Sequence, residues 1–122
     1  MSKKVLMIGW HPSLLDQTKW PELTVEKLAN ALNAEKDKLI ALGYDAAWAY
    51  LYNSDSSVED LKNQIKQNRY DVIMIGAGVR KDEEHFLLFE RLINVIHECA
   101  PSSKIAFNTR PTDSDVAVRR WA

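Results

Sequence analysis

Asp71-Val72-Ile73-Met74-Ile75-Gly76-Ala77-Gly78-Val79 decides the architecture of this chain. Its large apolar side chains follow one another without a polar break. A strand with one face in water alternates apolar and polar residues, so an unbroken run belongs to a strand covered on both faces. Val5-Leu6-Met7-Ile8-Gly9-Trp10 repeats the pattern near the start. Two such strands call for a parallel sheet with helices packed on either side.

The segments between them supply the helices. Val25, Leu28, Leu32, Leu39 and Leu42 recur at helical intervals and predict a first helix from near Thr24 to Leu42. Thr24 suits the N-cap, and Gly43 suits the left-handed residue that ends a helix. Tyr44 to Leu51 predicts a second strand, with Tyr44, Trp48 and Tyr50 on one face and Ala47, Ala49 and Leu51 on the other. Asn53-Ser54-Asp55-Ser56 is a turn cluster, and Ser57 with Asp60 forms a box-like start to a short helix presenting Val58, Leu61 and Ile65. The third strand is expected over Asp71 to Val79. Asp82 then caps a third helix carrying Phe86, Phe89, Leu92, Ile93 and Ile96, which Pro101 stops. Lys104-Ile105-Ala106-Phe107 is a fourth strand, and Thr112 with Asp115 opens a last helix over Asp115 to Trp121.

The chain has 122 residues, enough for a single α/β domain over 1–122 whose core needs no metal or disulfide. Its 16 basic and 17 acidic residues lack the excess of positive charge that a nucleic-acid binder uses, so no nucleic acid is expected as a partner. No apolar run approaches the ~18 residues of a membrane helix, so no membrane partner is expected either. Met1-Ser2-Lys3-Lys4 is basic, but the apolar run behind it is too short for a signal core and reads as a strand. The single cysteine, Cys99, excludes an internal disulfide, reads as a small core residue and points to a cytoplasmic protein.

Right-handed crossovers leave 2-1-3-4 as the expected order of the four parallel strands. The pattern resembles a three-layer flavodoxin-like or Rossmann-like fold, and also the receiver-like arrangement without its fifth unit. The residues that carry those families' chemistry are missing. Where receivers hold an acidic pair and a phospho-accepting Asp, this chain has Trp10-His11 and Gly76-Ala77-Gly78. His11-Pro12-Ser13-Leu14-Leu15 is not the Ser/Thr-rich phosphate loop of flavodoxins, and it lacks the cysteine of the low-molecular-weight phosphatases. The Asp-x-His-x-x-Gly loop of cobalamin-binding domains is absent around His11. Gly76-Ala77-Gly78 follows the third strand rather than the first and lacks the last Gly of a dinucleotide fingerprint.

Ligands of open α/β sheets bind beyond the carboxyl ends of the strands, where the order reverses. In the order 2-1-3-4 that point lies between the first and third strands. The first loop offers His11, Ser13, Asp16 and Lys19; the third offers Gly76, Gly78 and Arg80; the fourth offers Asn108, Thr109, Arg110 and Asp113. Arg80 and Arg110 are forked donors suited to a carboxylate or phosphate. Glycines let a ligand approach the backbone. Pro111 pushes Arg110 toward an extended conformation. The expected ligand contacts are therefore Ser13, Gly78, Arg80, Asn108, Thr109 and Arg110, with His11 as general acid, general base or neutral donor. His85 is expected on the solvent side with Glu83 and Glu84, and His97 as a structural residue. The first loop is long, and Trp20 is expected to pack over the end of the sheet. The histidines show no metal-ligand spacing, so no metal is expected, and no motif identifies a cofactor.

The expected function is binding of a small anionic ligand, phosphate- or carboxylate-bearing, at the carboxyl ends of the strands, with His11 available for proton transfer. The alternative is a non-catalytic receiver-like module for ligand sensing or protein interaction. Exposed edges at the second and fourth strands, with Tyr44, Trp48, Tyr50 and Trp121, point to a homodimer.

Overall fold

A computed structural model describes residues 2–16, 18–52 and 55–122. Strand β1 (Lys4–Trp10) is central. It pairs in parallel with β2 (Asp45–Leu51) on one side and with β3 (Val72–Ile75) on the other. Strand β4 (Lys104–Phe107) completes the sheet beside β3, with Val72 opposite Lys104 and Ile75 opposite Phe107. The order is β2-β1-β3-β4, all parallel, as the crossover rule requires.

Alternate residues of the same strands feed two cores. Leu6, Ile8, Ile73 and Ile75 face helices α2 (Asp55–Gln67) and α4 (Phe86–Cys99), where Leu61, Ile65, Leu92 and Ile96 complete the packing. Val5, Met7, Val72 and Met74 face α1 (Val25–Ala41) and α5 (Ser114–Trp121) through Leu39, Ala117 and Val118. This is the three-layer arrangement that the unbroken apolar runs require. Each such side chain contributes about 1.5–3 kcal/mol on burial. Among the described residues, no helix is long and apolar enough to cross a membrane.

Thr24 caps α1 by accepting the Lys27 N–H at 3.1 Å, and Gly43 ends it with φ +96°. The Trp48 indole donates to the Leu32 carbonyl at 2.9 Å and ties α1 to β2. The apolar stripe of α1 is narrower than expected, because Val25 and Leu42 lie at its ends and stay exposed.

Other boundaries differ for local reasons. Strand β3 stops at Ile75 instead of Val79. Gly76 still donates to the Ile8 carbonyl at 2.8 Å, but the chain then coils into a short helical turn, α3 (Ala77–Arg80). Helix α2 starts at Asp55, so Ser57 lies inside its first turn rather than before it. Its hydroxyl donates to the Tyr52 carbonyl (3.0 Å) and accepts the Tyr52 N–H (2.9 Å). Asn53 and Ser54 of the expected turn lie outside the described residues. Asp82 caps a 3-10 turn, Glu83–His85, that leads into α4, and its Oδ1 accepts the Glu84 N–H at 3.1 Å. Thr112 and Asp115 do not open α5. Asp113 stands at the N-cap of α5, but its carboxylate turns back to accept the N–H groups of Thr109 (3.0 Å) and Arg110 (3.1 Å) ahead of the 3-10 turn Pro111–Asp113, while Asp115 turns to Lys38 (3.5 Å). Trp20 does not cover the end of the sheet and is 61% exposed, and Phe86 leaves the core face at 58%. His97 is exposed, and Cys99 is a half-buried free thiol against the α2–α4 core.

Candidate functional site

Trp10 is the last residue of β1 and points to the α2–α4 side, as alternation after Leu6 and Ile8 demands. Its indole N–H donates to the Gly78 carbonyl at 3.1 Å, so its ring lies at the place where the strand order reverses. The His85 ring meets Trp10 edge-on at 4.9 Å, and its Nδ1 lies 2.8 Å from Asp82 Oδ2. His85 therefore faces β1 rather than standing in solvent with its two glutamates. Helical position put it in the first turn but could not say which way that turn faces.

His11 and Ser13 lie on the β2 side. The His11 N–H extends the ladder to the Leu51 carbonyl at 2.9 Å. The imidazole stacks on Tyr52 at 4.7 Å and meets Tyr50 edge-on at 5.3 Å. Burial pushes the Tyr50 phenol up, which keeps it neutral. Nδ1 of His11 accepts the Ser13 backbone N–H at 3.1 Å. A nitrogen that accepts cannot also carry the proton, so the neutral ring holds its proton on Nε2. Farther along the loop, hydrogen bonds from the Thr18 hydroxyl and backbone hold the Asp16 carboxyl below its usual value, and Lys19 is exposed.

The other expected residues gather at the end of β4. Asn108 is buried, with 3% exposure. Its Oδ1 accepts the Ala77 N–H at 2.7 Å, and its Nδ2 donates to Ser114 Oγ at 3.0 Å. It thus clamps the end of β4 between α3 and α5. Three successive carbonyls there each accept from a cation. Arg120 Nη2 reaches Phe107 O at 3.1 Å, Arg80 Nη2 reaches Asn108 O at 2.9 Å, and Lys81 Nζ reaches Thr109 O at 3.2 Å. The Arg80 guanidinium also lies 5.8 Å from the Phe107 ring, and its Nε is buried without a hydrogen-bond partner. Among the described residues none of these three cations is ion-paired.

Arg110 follows on the same loop, exposed, with Nε donating to Thr112 Oγ1 at 3.2 Å. Burial pushes the Asp113 carboxyl up. Hydrogen bonds from the Thr109 hydroxyl and the N–H groups of Arg110 and Thr109, with the Arg110 charge, outweigh that and hold it below its usual value. Beside the cations lies a depression of about 540 Å³ lined by Arg80, Lys81, Asp82, Glu83 and Phe86.

Of the expected ligand contacts, Arg80, Asn108, Thr109 and Arg110 come together. Gly78 lies against Trp10, while His11 and Ser13 sit across the sheet over β2. Lys81 and Arg120 were missed. Their adjacency to arginines was the available signal, but their common target on β4 is a tertiary fact. Among the described residues, Asp82, Glu84 and His85 also bring one donor atom each within 4.8 Å of one another. Both Asp82 oxygens are already engaged, by Glu84 N–H and by His85, which accounts for the group as a cap and an ion pair. Compared with known proteins, the chain matches no family model and no curated protein.

Proposed function

We propose that this α/β chain binds a small phosphate- or carboxylate-bearing ligand at the carboxyl end of β4, through Arg80, Lys81 and Arg110. The supporting observation is that Arg80 and Lys81 rest on the carbonyls of Asn108 and Thr109, neither of them ion-paired among the described residues, with Arg110 exposed on the same loop. The depression beside them is lined by Asp82 and Glu83 as well as by Arg80 and Lys81, so the reading rests on the placement of the two cations and not on a net positive surface. Carbonyl dipoles orient the cations but neutralise them only in part, and an anion completes the arrangement. In this reading Asn108 positions Arg80 and does not itself touch the ligand.

The test is a titration with inorganic sulfate at low ionic strength, followed by backbone NMR. The expected result is saturable shifts confined to residues 80–84 and 108–113. Lys81→Ala should weaken binding about threefold to tenfold, the loss of one partly exposed charge-assisted hydrogen bond. Shifts spread over every surface lysine, or no shifts, would remove the site.

The second reading, a non-catalytic interaction module, is favoured by Phe86 (58% exposed) and Leu87 (76%), which open α4 beside the same depression. A second copy of the chain is its first candidate partner, and light scattering that finds a monomer at high concentration removes that arm. The unpaired Cys99 fits a reducing compartment, and the cytoplasm is the location this reading takes.

A further inference from the structure

The two histidines at the carboxyl end are held in opposite states. His11 Nδ1 accepts a backbone N–H, so its outward nitrogen carries the proton and can only donate. His85 Nδ1 lies 2.8 Å from a carboxylate oxygen, which is an acceptor, so Nδ1 carries the proton and Nε2 is left with a free lone pair. The carboxylate that sets this state is itself fixed, because the other oxygen of Asp82 accepts the Glu84 N–H at 3.1 Å. Trp10 holds the ring from the β1 side at 4.9 Å. The side chain remains 28% exposed, so the pair is fixed yet open to solvent. A ring nitrogen with a free lone pair, oriented by a carboxylate, is the arrangement that general bases use.

We propose that His85, oriented by Asp82, is the proton-exchanging group of the anion site, and that a bound anion and the His85 imidazolium stabilise each other. The proposal rests on the anion-binding reading above. Asp82 lines the same depression as Arg80 and Lys81, and His85 is joined to that depression through its 2.8 Å contact with Asp82. On a substrate, Nε2 takes a proton from an O–H or C–H bond, and the bonding electron pair stays on the substrate atom. Asp82 stabilises the imidazolium, which later returns the proton to product. His85, rather than His11, is then the acid–base residue.

The charged surroundings set the sign of the linkage. The charged groups around His85 are Asp82, Glu83 and Glu84 on its own turn and Arg80 and Lys81 on the preceding one, and Trp10 of β1 is neutral. An anion on Arg80 and Lys81 cancels their positive charge, so binding raises the His85 titration midpoint. By reciprocity the same anion binds more tightly once His85 is protonated.

The experiment is an NMR titration of both imidazoles against pH, with and without inorganic sulfate, which keeps its charge over the range. Neutral His85 should show the Nδ1–H form and neutral His11 the Nε2–H form. Sulfate should raise the His85 midpoint by about half a unit and bind about threefold more tightly below it. His85→Gln should abolish that pH dependence and hold sulfate affinity at all pH values near the weaker level that the native chain shows above the midpoint. Asp82→Asn, which keeps an acceptor for the Glu84 N–H, should abolish the tautomer preference of His85. If sulfate shifts Lys81 and Thr109 but leaves the His85 midpoint and tautomer unchanged, this inference falls and the anion site stands. If sulfate shifts nothing, both fall.

Discussion

The Trp10 indole N–H donates to the Gly78 carbonyl at 3.1 Å and closes the place where the strand order of the sheet reverses. In open α/β sheets that place is a crevice. Here the Trp10 ring occupies that place, and the cations collect instead at the end of β4, where Asn108 clamps α3 and α5. Trp10→Phe keeps a ring but loses the donor, and should cost about 1 kcal/mol in chemical denaturation. Trp10→Ala removes the half-buried ring as well and should cost about 2–3 kcal/mol. If both changes were neutral, Trp10 would not hold α3 to β1.

Asn108 is the next point of leverage. Asn108→Ala leaves the half-buried Ala77 N–H without its 2.7 Å partner and the buried Ser114 Oγ without its donor from Asn108. The expected loss is about 2–4 kcal/mol, the desolvation penalty of unsatisfied buried groups. Arg80 rests on the carbonyl of the same residue, so sulfate affinity should fall in the variant even under conditions where it is fully folded. Unchanged affinity would show that Asn108 does not position Arg80.

The fold was legible where residues act locally. Val72-Ile73-Met74-Ile75 and Val5-Leu6-Met7-Ile8 announce burial on both faces, and crossover handedness then fixes the order. What stayed hidden depends on partners far along the chain. The turn at Ala77–Arg80 looks like more strand in sequence, because its cap, Asn108, lies 31 residues away. Lys81 and Arg120 gain meaning only when the β4 carbonyls are set beside them. The orientations of His11 and His85 are each fixed by one neighbour two or three residues away, Ser13 or Asp82, whose side of the ring is not written in spacing alone.

His11 separates a structural imidazole from a catalytic one. With its Nδ1 engaged by Ser13 and its ring on Tyr52, His11→Gln should leave sulfate affinity within about twofold, because the change makes no contact with the cation cluster. A large loss of sulfate affinity would return His11 to the site.

Asp113 carries the pH dependence of the β4 end. Its carboxyl is held below the usual value in the folded protein, so it adds stability above the unfolded-state value, near 3.8, and loses it as pH falls through the folded value. Melting temperatures of the native chain and of Asp113→Asn should therefore differ by a constant amount above about pH 5 and converge below about pH 4. A gap that persists in acid would mean that the hydrogen bonds, not the charge, account for the difference.

Glu35 and Lys38 pose the sharpest energetic question, because the pair is half in water. Glu35 is buried, with one oxygen 2.9 Å from Lys38 Nζ and the other without a partner. Lys38 also donates to the Thr112 carbonyl at 3.2 Å and so pins α1 to the turn before α5. Hydrogen bonding to Glu35 raises the Lys38 titration above its usual value, so its contribution is complete below about pH 10 and lost above the folded value. Lys38→Met strands a buried carboxylate and should destabilise by about 1–3 kcal/mol, less than a fully buried pair because Lys38 itself is partly solvated. Adding Glu35→Leu removes the stranded group and should recover most of that loss. If the double variant were as unstable as the single one, the ion pair would be worth more than its desolvation costs, and α1 would depend on it for its place against α5.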